Sequence, residues 1–152
     1  MAELKDRLRT DLTTAMKARD TVRTRTLRSA LTAVSTAEVA GSTSRELSDD
    51  EVTKVLAREA KRRREAADAF DAAGRPEQAS AERAEGEVLE AYLPAQLGDD
   101  ELAAIVAAGI AESGAAGARA MGQVMKVVTP KIAGRAEGAR VAAEVRRQLG
   151  AQ

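Results

Sequence analysis

The chain contains no cysteine and no histidine, and Phe70 and Tyr92 are its only aromatic residues. The first absence excludes disulfides, thiol nucleophiles, imidazole acid–base chemistry and zinc sites built on cysteine or histidine. The scarcity of aromatics leaves no platform on which bases stack, which argues against sequence-specific reading of single-stranded RNA. No stretch approaches the ~20 apolar residues that cross a bilayer. The opening residues, with Glu3, Lys5 and Asp6, lack an apolar leader. A cytoplasmic protein without membrane attachment is therefore expected, and a cysteine-free composition fits a reducing compartment. There is no Gly-Lys-Ser/Thr phosphate loop and no Gly-x-Gly-x-x-Gly after a strand, so no cofactor is expected. Hydroxyl side chains are plentiful near the start but have no base to activate them, and no catalytic residue is nominated.

What is present is helical. Of 152 residues, 44% are hydrophobic, and much of that share is alanine. A core of Leu, Val, Ile, Met and Ala suits close-packed helices better than a β-sandwich. Leu4, Leu8, Leu12, Ala15 and Met16 recur at helical spacing. Asp20 reads as the cap of a second helix with Val22, Leu27, Ala30, Leu31 and Val34 on one stripe. The small polar run Ala40-Gly41-Ser42-Thr43-Ser44 is a loop. Ser48 and Glu51 form a capping box before a long helix that carries Val52, Val55, Leu56, Ala66, Ala69 and Phe70 inward. Gly74 stops that helix and Pro76 opens the next, whose buried end is Val88, Leu89 and Tyr92. The short connection makes the two an antiparallel hairpin.

Pro94 marks a boundary. Beyond it, Leu102, Ile105, Val106 and Ile110 define one helix, Met121, Val124, Met125 and Val128 a second, and Val141, Val145 and Leu149 a third. The expected fold is all-α. An N-terminal bundle domain over residues 1–93, a four-helix region with a long hairpin, precedes a three-helix module over residues 94–152.

Charge balances overall, 24 basic residues against 24 acidic, but its distribution is uneven. Residues 94–118 hold Asp99, Asp100, Glu101 and Glu112 and no base. Residues 119–147 hold seven bases and two acids, a net of +5. These opposite segments either face each other within one bundle or leave a basic face open for a partner. Within the basic segment, Gly122, Gly134 and Gly138 lie beside helix ends, where a phosphate can approach free backbone N–H groups. Recognition of a folded nucleic acid through backbone and shape is the chemistry this arrangement allows.

Two other clusters are weighed against structural roles. Lys61, Arg62, Arg63 and Arg64 resemble a nucleic-acid patch, yet consecutive helical residues spread over all faces. At least one points toward the hairpin partner, within reach of Glu82, Glu85 or Glu87. The runs Asp49-Asp50-Glu51 and Asp99-Asp100-Glu101 sit at helix starts, where carboxylates favour the dipole. Adjacent carboxylates do not converge as a hard-cation site requires, so no metal is expected.

Taken in order, several motifs resemble the YqeY-like family. They are Leu27-Arg28, Glu59-Ala60-Lys61-Arg62-Arg63, Phe70 with Ala73-Gly74-Arg75, and the acidic pair Glu82 and Glu85. Tyr92-Leu93-Pro94-Ala95-Gln96-Leu97, Met121-Gly122-Gln123-Val124-Met125-Lys126 and Gly134-Arg135-Ala136-Glu137-Gly138 complete the set. Glu137 stands where the family usually has Asp, Gly98 where a capping Ser is common, and Ala66 where a Ser often follows the basic run. The resemblance implies a two-part helical protein whose C-terminal module is similar to the tail domain of the B subunit of the tRNA-dependent amidotransferase. In that complex the tail is a tRNA-contacting appendage, and the carbon–nitrogen ligase chemistry, with glutamine as amido donor, sits in domains this chain lacks.

The leading expectation is a non-catalytic helper that binds tRNA or a tRNA-bound complex through Arg119, Lys126, Lys131, Arg135 and Arg140. The alternative is a protein–protein adaptor that uses Lys61, Arg62, Arg63 and Arg64 without RNA.

Overall fold

Seven α-helices organise the residues that the computed structural model describes, namely 3–114, 116, 117 and 120–151, and these residues contain no strand. Helix α1 spans Glu3–Lys17, α2 Thr21–Glu38, α3 Asp49–Ala72 and α4 Pro76–Glu90. Then come α5 over Asp99–Ser113, α6 over Met121–Ile132 and α7 over Gly138–Gly150. Contacts divide the chain into two compact units, Met1–Leu93 and Pro94–Gln152.

Local chemistry accounts for the helix starts of the first unit. The Asp20 carboxylate accepts from Arg23 N at 3.1 Å and so satisfies one of the orphan donors of α2. The Ser48 Oγ accepts from Glu51 N at 3.3 Å while the Glu51 carboxylate accepts from Ser48 N at 2.9 Å, closing the capping box. Arg45 grips the same carboxylate with both guanidinium nitrogens, at 2.9 and 2.6 Å. That grip, followed by the Ser48 amide, holds the Glu51 carboxyl down at about 2, from an ordinary 4.5. Pro76 occupies the first turn of α4, where a missing N–H costs nothing.

The core of this unit gathers Leu8, Leu27, Val34, Val52, Leu56 and Leu89, all essentially inaccessible to solvent. Two pairs tie α1 into it. Lys5 Nζ donates to Glu38 of α2 at 2.7 Å, with both side chains largely covered. The Tyr92 hydroxyl donates to Asp11, and the Arg7 guanidinium lies 4.8 Å from the Tyr92 ring centroid. Burial, followed by the bond to Asp11, pushes the Tyr92 phenol up to about 12.

Parts of the expected inward stripes face elsewhere. Met16 is 48% exposed and Val22 37%. On α3, Ala60 and Ala67 are the fully buried alanines, whereas Ala66 and Phe70 are half-buried and Ala69 is exposed. The reason is that α3 is covered by α1 and α2 as well as by α4, which comes close enough at the buried Gly86 that a Cβ there would lie 3.6 Å from Arg63 Cβ.

The second unit packs α5, α6 and α7 pairwise around Val106, Val124, Val128 and Val145, all fully buried. Its α5–α6 crossing depends on Gly109, since a Cβ built there would stand 2.4 Å from Val128 Cγ2. The segment before α5 is fastened by two backbone groups of Leu97. Its N–H donates to Arg135 O at 2.8 Å, and its carbonyl accepts from Arg140 Nη1 at 2.7 Å. Gln96 Nε2 adds donation to Pro94 O at 3.1 Å and Gly134 O at 3.4 Å.

Candidate nucleic-acid interface

The basic stretch of the second unit is built on the starts of α6 and α7. Ala120 caps α6 and Glu137 caps α7, and neither contributes a side-chain capping hydrogen bond among the described residues. Gly122 and Gly138 follow in the first turns, both exposed, and a Cβ at either would meet nothing within 4 Å. Internal packing therefore does not call for glycine at these places, although glycine costs a helix interior about 1 kcal/mol relative to alanine. The first turns of α6 and α7 are thus open at the positions of these two glycines.

The five basic residues singled out from the sequence have different fates. Arg119 lies outside the described residues. Lys126 is exposed on α6 and has no hydrogen-bond or ion-pair partner among the described residues. Lys131 is paired with Glu112 of α5. Arg135 is half-buried and turns back on the end of its own helix, with Nη2 donating to Lys131 O at 2.9 Å and Nε to Ile132 O at 3.2 Å. Arg140 donates to Leu97 O and pairs with Asp99 at 2.7 Å. Arg135 and Arg140 thus meet at the Leu97 strap, while Lys131 and Arg140 bind acids of the preceding segment.

Arg146, exposed and without a partner among the described residues, is a free cation that the nominated set left out. Its neighbour Arg147 is engaged by Glu144 at 2.5 Å. Arg147, followed by Gln148, holds the Glu144 carboxyl at about 2.

On α3 every member of the 61–64 run has an acid beside it. Lys61 reaches Glu65 at 4.0 Å, Arg62 Glu59 at 3.2 Å and Arg64 Glu90 at 3.4 Å. Arg63 is the one turned inward. It meets Glu85 at 2.9 Å and Glu82 at 3.5 Å on α4, and donates to Ser29 Oγ on α2 at 3.2 Å. Arg25 of α2 closes on the same Glu85 at 2.6 Å, so one carboxylate with 8% of its side chain exposed joins α2, α3 and α4.

Lys54 and Arg58, two turns and one turn before Arg62, are exposed and have no partner among the described residues. The spacing of four between these cations is visible in the sequence, overlapping the consecutive run at 61–64. Among the described residues no group of three or more acidic side chains is placed to hold a metal ion. No helix among them is long and apolar enough to cross a membrane.

Seven helices in two compact units, with no strand among the described residues, define an all-α protein. The Yqey-like protein family matches residues 5–149, nearly the whole chain. The chain belongs to that family. A search of the curated proteins gives no match.

Proposed function

We propose that the protein is a non-catalytic helper that binds tRNA or a tRNA-bound complex through its C-terminal unit. The observation that carries this reading is the pair of glycine-bearing first turns of α6 and α7, neither with a side-chain capping hydrogen bond among the described residues. Each bears an exposed glycine that the fold itself does not require, within a segment of net charge +5. Family membership and the tail-like order of its motifs support it. Lys126 and Arg146 are the cations free to meet phosphate. Lys131 and Arg140 reach phosphate only by giving up Glu112 and Asp99. Because bases cannot stack on aromatic side chains here, the contact is to backbone and shape. Carbon–nitrogen ligase chemistry relates to this chain only through the amidotransferase whose tail it resembles.

The test is anisotropy of labelled tRNA with the full-length protein, from low to physiological salt. Binding weakens with salt by a log–log slope of about 0.9 per phosphate contacted. Lys126→Glu and Arg146→Glu each lower that slope by about one unit. No binding even at low salt would end the reading. The adaptor alternative finds its four cations at 61–64 already matched to acids. Arg62 alone among them keeps three quarters of its side chain exposed, so an adaptor needs further cations beyond that run.

A further inference from the structure

An open groove of about 1000 Å3 runs between α2 and α3. One side carries Lys54, Arg58 and Arg62, four residues apart on one face of α3 and so about 6 Å apart along the axis. The first two have no partner among the described residues. Arg62 keeps 75% of its side chain exposed despite its bridge to Glu59. The other side is α2, lined by Ala33, Ala37 and short hydroxyl residues, and Val55 supplies an apolar floor. Arg63, also in the lining, has a buried Nε without a hydrogen-bond partner among the described residues.

A row of three exposed cations, two of them without an acid partner among the described residues, beside an aliphatic wall calls for an occupant with carboxylates on one side and apolar groups on the other. A helix with acids four residues apart repeats the same ~6 Å step. A nucleic-acid strand suits the groove less well. The lining contains no aromatic side chain for a base, and its wall of Ala33, Ala37 and Val55 offers nothing to a continuous row of phosphates. We propose that this groove docks an acidic amphipathic helix of a protein partner, its carboxylates on Lys54, Arg58 and Arg62 and its apolar side on Ala33, Ala37 and Val55. The proposal concerns the first unit and stands or falls apart from tRNA binding by the second.

The experiment uses the full-length chain and a labelled synthetic helix of about four turns. The peptide has Glu at every fourth position and Leu on the opposite side, and a twin has Gln for Glu. The variant is Lys54→Glu with Arg58→Glu. The control, with the same change in net charge, is Lys17→Glu with Arg75→Glu, both exposed and outside the groove lining. The wild type and the control bind the Glu peptide at least about tenfold tighter than the Gln twin, and the variant loses at least about tenfold. Circular dichroism shows an unchanged melt. Should the variant melt early, Lys54→Gln with Arg58→Gln gives the same loss, and a Lys-bearing peptide restores binding to the Glu variant. No binding, equal binding of the Gln twin, or an unaffected variant overturns the proposal. So does a short RNA that displaces the peptide from the same residues, which assigns the groove to phosphate. Self-association abolished by the variant, without peptide binding, assigns it to a second copy and equally overturns the proposal.

Discussion

Replacing Gly109 with alanine puts the α5–α6 crossing to a quantitative test. The new Cβ stands 2.4 Å from Val128 Cγ2 and at ordinary distances, 3.7 and 3.8 Å, from Val128 Cβ and Val127 Cγ1. Carbon atoms prefer about 3.5–4.0 Å, so one contact is far inside the repulsive wall. Val128 is fully buried and, being β-branched in a helix, is held in one χ1 well, so its methyl does not simply swing aside. Overpacking of this kind costs about 1–3 kcal/mol. Alanine in place of glycine returns about 1 kcal/mol through helix propensity. The net is a destabilisation of about 1 kcal/mol, at most ~2. Val128→Ala removes the obstacle at a cost of about 2 kcal/mol by itself. In that background the propensity gain stands alone, so Gly109→Ala then stabilises by up to about 1 kcal/mol. Native-state hydrogen exchange of the α5, α6 and α7 amides in the full-length chain reads this unit separately from the other. A Gly109→Ala protein more protected than wild type, or the same sign of effect in both backgrounds, refutes the packing argument.

Removing the shared carboxylate by Glu85→Ala leaves Arg63 and Arg25 without their common partner and costs about 2–4 kcal/mol. Lys61→Ala, at a fully hydrated pair, stays within about 0.5 kcal/mol, and urea titration compares the two. Tyr92 titrates near 12 by ultraviolet difference absorbance, above the ordinary 10. Because the folded value is the higher one, this group's stabilisation is complete below pH 10 and disappears as pH rises toward 12. Tyr92→Phe abolishes that alkaline limb. Glu51 behaves in the opposite sense. Its depressed value contributes stability above the ordinary 4.5 that is lost as pH falls toward 2. NMR titration of the Glu51 carboxyl finds a midpoint near 2 in the wild type and a clearly higher one in Arg45→Ala.

The order of helices was readable because the apolar residues recur with the helical period and the punctuation is strong: Ser48 with Glu51, Pro76, Gly114. Orientation within alanine-rich helices was not. Ala60, Ala66, Ala67 and Ala69 carry equal hydropathy, and only the tertiary approach of the neighbouring helices decides which of them are covered. The excess of positive charge after residue 118 was equally plain. How much of it is free was not, since Lys131 finds Glu112 across 19 residues and Arg140 finds Asp99 across 41. Such pairings are tertiary geometry, invisible to a count of charges along the chain. The same distinction separates Arg63, drawn inward by Glu85, from its neighbours in one run of basic residues.

The Leu97 strap bears on how such a chain evolves. Its bonds to Arg135 and Arg140, with Gln96 reaching Pro94 and Gly134, all join residues at or beyond Pro94. The C-terminal unit thus brings its own latch at its leading edge. Recombination that placed this segment behind a different partner would carry the fastening along with it, which is the property a reusable cassette needs.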